Sequence, residues 1–188
     1  ISVYFGNIKG RNIDNERTEK YLQSIAATKN DNQEKKLPNI LFILTDDLGY
    51  GDLSSYGSTM INTPNIDNLA EQGMKLTNFY SPSSLCSPAR AAMLTGRYPP
   101  RTHVPAVFFD SGTFLGEFRK HFGFYSYGMD GLSPDEAMVS EVLQAKGYKT
   151  AVLGKWHLGT REEFLPENTG FDYSYIPDAS VDITTFTQ

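Results

Sequence analysis

Asn39-Ile40-Leu41-Phe42-Ile43-Leu44-Thr45-Asp46-Asp47 is the stretch whose reading decides the fold. Its apolar residues run continuously instead of alternating. That pattern fits a strand covered on both faces, as in a parallel sheet. The run ends in two adjacent carboxylates and then a loop carrying Gly49, Gly51 and Gly57. Downstream, Thr63-Pro64 opens a helix, with Thr63 as N-cap and Pro64 at the first helical position. Ile66, Leu69 and Ala70 form its apolar stripe, and Gly73 stops it. Met74–Tyr80 reads as a second strand, and Pro88 to Leu94 as an alanine-rich helix ending at Gly96. Ser133-Pro134-Asp135-Glu136 reads as a capping box. The helix after it carries Met138, Val139, Val142 and Leu143 on one face and ends at Gly147. Lys149–Leu153 is the next strand, leading into Gly154-Lys155-Trp156-His157-Leu158-Gly159. Strands alternating with helices predict an α/β fold with a mostly parallel sheet flanked by helices.

Upstream of Leu37 the chain is polar and shows no convincing periodicity. Residues 1–36 are therefore expected to be an extension or linker, with Asn30–Lys36 solvated. Residues 37–188 are expected to form one domain or a piece of one. Residues 103–128 carry six phenylalanines and two tyrosines among glycines, and read as an insertion that packs on itself or lines a pocket rim. His103 and His121 fall within it and are read as structural.

The formal net charge is −5. Residues 1–36 hold seven basic and five acidic side chains, giving +2; the remainder holds ten and seventeen, giving −7. An acidic body argues against nucleic acid as a partner, because phosphate neutralisation needs clustered cations. Cys86–Arg101 runs against the trend, with Arg90, Arg97 and Arg101 and no acid, which suits a small anion. The single cysteine excludes an intrachain disulfide and any zinc site built from several cysteines. No run approaches the ~18 apolar residues of a membrane span. No signal peptide is legible, and the start at Ile1 leads to the expectation of a mature form or a fragment.

Ligands of open α/β sheets bind beyond the carboxyl ends of the strands, where the candidate residues gather. Asp46 and Asp47 repel each other unless a cation lies between them, and calcium or magnesium would supply that charge through oxygen ligands. A helix cap or a solvated loop uses the same pair. Cys86 precedes a helix that is expected to start near Pro88, which exposes it to the positive end of the helix dipole. Arg90, four residues on, shares its face. An inert buried cysteine is the bland alternative. Lys155 and His157 are two apart at a strand end, so alternation puts both on one side and Trp156 on the other. There they could neutralise an anion and donate a proton, or simply face solvent.

Leu85-Cys86-Ser87-Pro88-Ala89-Arg90 followed by Ala91-Ala92-Met93-Leu94-Thr95-Gly96-Arg97 closely resembles the activation motif of type I sulfatases, Cys-x-Pro-x-Arg with a Leu-Thr-Gly-Arg element. Asn39–Gly51 and Gly154–Gly159 also look like sulfatase segments, in the family's order and approximate spacing. The resemblance covers roughly residues 37–175. It is strongest to the animal arylsulfatase group, which includes lysosomal arylsulfatases and galactosamine-sulfatases.

The resemblance implies the N-terminal part of an alkaline-phosphatase-like sulfatase fold, truncated before the family's later metal ligands, second histidine and second lysine. It implies that Cys86 is oxidised by a formylglycine-generating enzyme to formylglycine, whose hydrate attacks the sulfur of a sulfate ester. It implies a calcium ion held by Asp46, Asp47 and the modified Cys86, with Arg90 steadying the hydrate and Lys155 and His157 contacting the sulfate. The implied substrate is a sulfated small molecule or glycan, and the implied location is lysosomal or secreted. Ile176–Ser180 only loosely resembles a segment that carries a sulfate-contacting serine, which makes Ser180 a weak candidate. His103 stands where relatives often have glycine. Two other readings are open at this point: an inactive fragment or non-catalytic binding module, and a thiol hydrolase using Cys86 with His157 as base.

Overall fold

The computed structural model describes residues 15–28, 37–108 and 131–177. In chain order these form α1 (Asn15–Ala27), α2 (Pro64–Gln72), α3 (Cys86–Thr95), α4 (Pro99–Thr102), α5 (Val139–Ala145), β1 (Ala151–Leu153) and β2 (Tyr173–Tyr175). Single 3-10 turns lie at Tyr50–Asp52, Ser54–Tyr56, Glu162–Phe164 and Pro166–Asn168. The chain divides into two compact units, one of residues 1–31 with 82–188 and one of residues 32–81. Ser180, His121, Asn30–Lys36 and the aromatic stretch beyond Phe108 lie outside the described residues.

In the larger unit, β1 and β2 are parallel, with Ala151 opposite Tyr173, Val152 opposite Ser174 and Leu153 opposite Tyr175. The pair is pinned at its start by Thr150 and Asp172. The Thr150 N–H donates to Asp172 Oδ2 at 2.9 Å, the Asp172 N–H donates to Thr150 Oγ1 at 3.1 Å, and Tyr173 N–H reaches Thr150 O at 3.1 Å. Lys149 Nζ adds an ion pair to Asp172 at 3.2 Å. The Thr150 N–H first, and Lys149 after it, hold the Asp172 carboxyl down at about 2. A carboxylate whose folded value is depressed stabilises the fold above its ordinary range. That contribution fades as pH falls toward about 2. Asp172→Asn is expected to flatten the acid limb of stability, read as thermal midpoints of both proteins from about pH 7 down to about pH 2.

The core of this unit gathers Ala91, Val104, Leu132, Met138, Trp156 and Leu158, with Leu94, Phe108, Val152, Phe171 and Ile176 packed against it. Trp156 Nε1 donates to Phe164 O at 2.8 Å, and its ring meets Phe171 edge-on at 5.9 Å. Gly159, at φ +122°, lies so close to Phe164 that an added Cβ would sit 2.7 Å from the Phe164 Cβ.

Three expectations for this unit are corrected. Residues 1–36 were expected to lack regular structure, yet Asn15–Ala27 is helical. Thr18, Leu22 and Ile25, at i, i+4 and i+7, are its least exposed positions, and the helix packs on α5. Thr18 Oγ1 donates to Asp135 O at 2.5 Å, and Lys146 Nζ reaches Thr28 O at 2.9 Å. Ser133–Glu136 forms a turn, closed by Glu136 N–H to Ser133 O at 3.0 Å, and does not cap a helix. The helix starts later, at Val139, and Glu141 Oε2 accepts the Met138 N–H at 2.8 Å. Glu136 is instead taken up by Arg97, an ion pair whose carboxylate side is buried. Third, Val139 is exposed while Met138 is buried, so the apolar face is narrower than expected. The stop at Gly147, φ +86°, is as read.

In the unit of residues 32–81, Thr63, Pro64 and Gly73 bound α2 as expected. Ser54 Oγ donates to Asp67 Oδ2 at 2.5 Å, and Thr63 Oγ1 donates to Asp67 Oδ1 at 3.1 Å. These bonds, Ser54 first, lower the Asp67 carboxyl. The two expected strands are not formed. Residues 37–45 pair with no strand among the described residues, and Leu41, Phe42 and Ile43 are 85%, 66% and 72% exposed. Met74–Tyr80 is likewise irregular and exposed, held by Tyr56 Oη to Leu76 O at 3.0 Å and Lys75 Nζ to Ser55 O at 2.8 Å. A parallel strand takes both its ladder and its cover from neighbouring elements, and the described residues give these runs neither. The α2 stripe is bare for the same reason, with Ile66 and Leu69 exposed.

Candidate active site

The first turn of α3 positions the cysteine. Leu85 is the extended N-cap and Cys86 the first helical residue, followed by buried Ser87 and Pro88. Proline within the first turn costs no hydrogen bond, because those N–H groups have no intrahelical acceptor. The helix therefore begins two residues before the expected start, and Cys86 lies inside the first turn rather than ahead of it. Its thiol is in no disulfide and is half-buried. Ala91 and Ala92 seat the helix in the core, and Gly96, at φ +66°, ends it with its N–H on Ala92 O at 2.8 Å.

Arg90 lies one helical turn beyond Cys86. Its Nη1 donates to the Lys155 backbone carbonyl at 2.6 Å. This bond ties α3 to the segment that leaves β1. That segment is not a continuation of the strand. β1 ends at Leu153, Gly154 turns at φ +99°, and His157 itself sits at φ +60°. The strand alternation expected for Lys155 and His157 therefore does not apply. Trp156 and His157 are both buried, and Lys155 is half-buried. Leu132 N–H to Leu158 O at 2.9 Å fixes the far side of this turn.

A second tie joins the same two segments. Phe108 N–H donates to Ser87 Oγ at 3.2 Å, and His157 Nε2 contacts Phe108 O at 3.0 Å. Four of the residues expected at the site, Cys86, Arg90, Lys155 and His157, thus belong to one unit and to two linked segments of it. Neither Ser87 nor Phe108 was expected there. Ser87 stands inside the cysteine motif, but Phe108 acts through its peptide groups, which have no sequence signature.

Asp46 and Asp47 belong to the unit of residues 32–81. Both occupy an exposed bend, with Asp47 at φ +53°. Among the described residues, no group of three or more His, Cys, Asp or Glu is gathered to hold a metal ion. Their carboxylate oxygens are the donor type that calcium takes, but two side chains fall short of its usual ~6–8 oxygens. Of the three arginines between Cys86 and Arg101, Arg97 pairs with Glu136, so the stretch is not a single cationic patch. His103 caps α4 at φ +57°, a conformation that glycine adopts most readily.

The family model described as Sulfatase matches residues 38–184. Arylsulfatase A of Bos taurus is 48% identical over 137 residues, covering 71% of this chain and 24% of that protein. N-acetylgalactosamine-6-sulfatase of Homo sapiens is 42% identical over 136 residues, covering 72% and 24%. A solved Bacteroides thetaiotaomicron structure, described with the metabolism of multiple glycosaminoglycans, superposes with a TM-score of 0.59 at 34% identity, covering 76% of this chain and 28% of that one. The chain spans about a quarter of the length of the curated relatives it matches.

Proposed function

This chain belongs to the sulfatase family, and from that premise we propose that it is the N-terminal portion, from about residue 37, of a catalytic domain that hydrolyses sulfate esters. One arrangement carries the reading. Cys86 stands on the first turn of α3, with Arg90 one turn along the same helix and bonded to the backbone of Lys155. The substrate is a sulfated small molecule or glycan, in keeping with the names of the relatives, and the location proposed is lysosomal or secreted. Among the described residues, no helix is long and apolar enough to cross a membrane.

The chain's own residues divide the work. Arg90 places a permanent cation on the helix face of position 86, where an anionic nucleophile or a sulfate oxygen is stabilised. The Lys155 ammonium neutralises a second part of the sulfate charge. His157, whose Nε2 meets the Phe108 carbonyl, offers its other ring nitrogen as a proton acceptor for the attacking or product-clearing hydroxyl. Cys86, half-buried and in no disulfide, fits the residue that a formylglycine-generating enzyme would oxidise. Formylglycine there would supply a hydrated aldehyde with two hydroxyls, one to attack and one to clear the product. Asp46 and Asp47 would give oxygen ligands to calcium, which supplies charge to polarise the sulfate oxygens. The thiol-hydrolase alternative is weaker, because the sulfatase family model spans residues 38–184, Cys86 and His157 among them.

The test is turnover of a chromogenic aryl sulfate by the longer protein, made in a host with the modifying enzyme. Chelation is expected to remove activity and added calcium to restore it. Asp47→Ala is expected to weaken calcium binding at least ~10-fold, read by titration calorimetry, because the site loses one of its charged ligands. Full activity and unchanged calcium affinity in Asp47→Ala would refute the metal assignment.

A further inference from the structure

The tie between Ser87 and His157 has a consequence for catalysis. Ser87 is 0% exposed, and its hydroxyl oxygen accepts the Phe108 N–H at 3.2 Å. The carbonyl of the same residue lies 3.0 Å from His157 Nε2. A carbonyl oxygen can only accept, so Nε2 carries the proton and donates it, and whenever the ring is neutral Nδ1 is its acceptor nitrogen. The Phe108 side chain packs against the core that holds Ala91 of α3 and Trp156. The residue next to Cys86 is thereby coupled to the ring of His157 through one residue's two peptide groups.

We propose that Ser87 is a positioning residue for sulfate-ester hydrolysis. Through Phe108 it fixes His157 in the Nε2–H tautomer and at a set orientation to the first turn of α3. The inference rests on the sulfatase reading, since it assigns His157 a part in that reaction. Its physical basis is that a hydrogen-bonding group acts only from a defined position and in one protonation form. Removing the hydroxyl leaves the Phe108 N–H without its acceptor, lets that backbone shift, and frees the ring to change tautomer and tilt.

The experiment uses the longer protein with Ser87→Ala and Ser87→Thr. Turnover of the aryl sulfate is normalised to the fraction of modified Cys86, measured by mass spectrometry. The His157 ring is read by NMR after 15N-histidine labelling, with its signals assigned by His157→Gln. Ser87→Ala is expected to lower kcat on the order of 10- to 100-fold with KM within about twofold. It is also expected to turn an Nε2–H ring spectrum into a mixture of both tautomers, with a modest fall in thermal midpoint from the unpaired Phe108 N–H that leaves the protein folded at the assay temperature. Ser87→Thr, which keeps the hydroxyl, is expected to restore the tautomer and most of kcat. An unchanged kcat in Ser87→Ala, an Nδ1–H ring in the wild type, or a rate loss that follows the thermal midpoint with no tautomer change would each overturn the proposal. The two readings fail separately. A wild type without turnover whose ring still responds to Ser87→Ala contradicts the sulfatase reading alone. An active wild type indifferent to Ser87→Ala contradicts this inference alone.

Discussion

Cys86→Ala is expected to remove sulfate-ester turnover, on the order of a 10⁶-fold fall to background, with the fold intact. The size follows from the role proposed for the residue. Every other group named at the site binds, orients or stabilises, and only position 86 forms a bond to the reacting sulfur. Stability should barely move. Cys86 is the half-buried first residue of α3, and alanine is the best helix former, so the change in unfolding free energy is expected to stay within about 1 kcal/mol. Cys86→Ser separates the chemistry from the shape. Serine keeps size and polarity but has one hydroxyl, and it is expected to be inactive in a host that does not convert serine to the aldehyde. Equal thermal midpoints alongside absent turnover are the expected pairing, read by calorimetry and the aryl sulfate assay.

Arg90→Ala is expected to cost the next largest amount, on the order of 10²- to 10³-fold in kcat. Two losses combine in it. The cation one turn from Cys86 disappears, and the Lys155 carbonyl loses the Nη1 donor at 2.6 Å that ties its segment to α3. A hydrogen bond from a charged donor contributes about 1.5–3 kcal/mol, so stability should fall along with rate. Arg90→Lys keeps the charge but not the planar fork that can hold a carbonyl and face position 86 together. It is expected to recover stability in part and kcat little. Urea unfolding beside steady-state kinetics on the two variants distinguishes the contributions. Wild-type kcat in Arg90→Lys would mean that charge alone is used.

The legible parts of the fold were those with local punctuation. Thr63-Pro64 and Gly73 bound α2, Gly96 and Gly147 end helices, and Lys149–Leu153 contains β1, because caps and breakers act within a few residues of themselves. The run 39–44 was read as a buried strand from its composition. Composition reports how apolar a strand is and leaves open whether a neighbour pairs with it, and among the described residues none does. α1 was missed because only Thr18, Leu22 and Ile25 mark its inner face, and a threonine weakens the stripe. The Ser133–Glu136 spacing matched a capping box, but Glu136 serves Arg97, a long-range pairing that no local pattern encodes.

The site divides in the same way. Cys86, Arg90, Lys155 and His157 were proposed from their resemblance to sulfatase segments, and the fold places them on two linked segments of one unit. Their supports were not legible. Alternation was the wrong reason for placing Lys155 and His157, since Gly154 and His157 both turn through positive φ. The Ser87–Phe108–His157 link runs through a backbone and brings together residues 21 and 49 positions apart. Such links arise from tertiary packing and leave no pattern in the chain.

The central claim is that the thiol of Cys86 is a precursor and not the working group. Mass spectrometry of the tryptic peptide Leu76–Arg90, from the longer protein made with a formylglycine-generating enzyme, tests it most directly. The account predicts a peptide in which Cys86 has lost its sulfur and gained an aldehyde oxygen, with the modified fraction tracking turnover. An unmodified thiol throughout a preparation that still hydrolyses sulfate esters would contradict it.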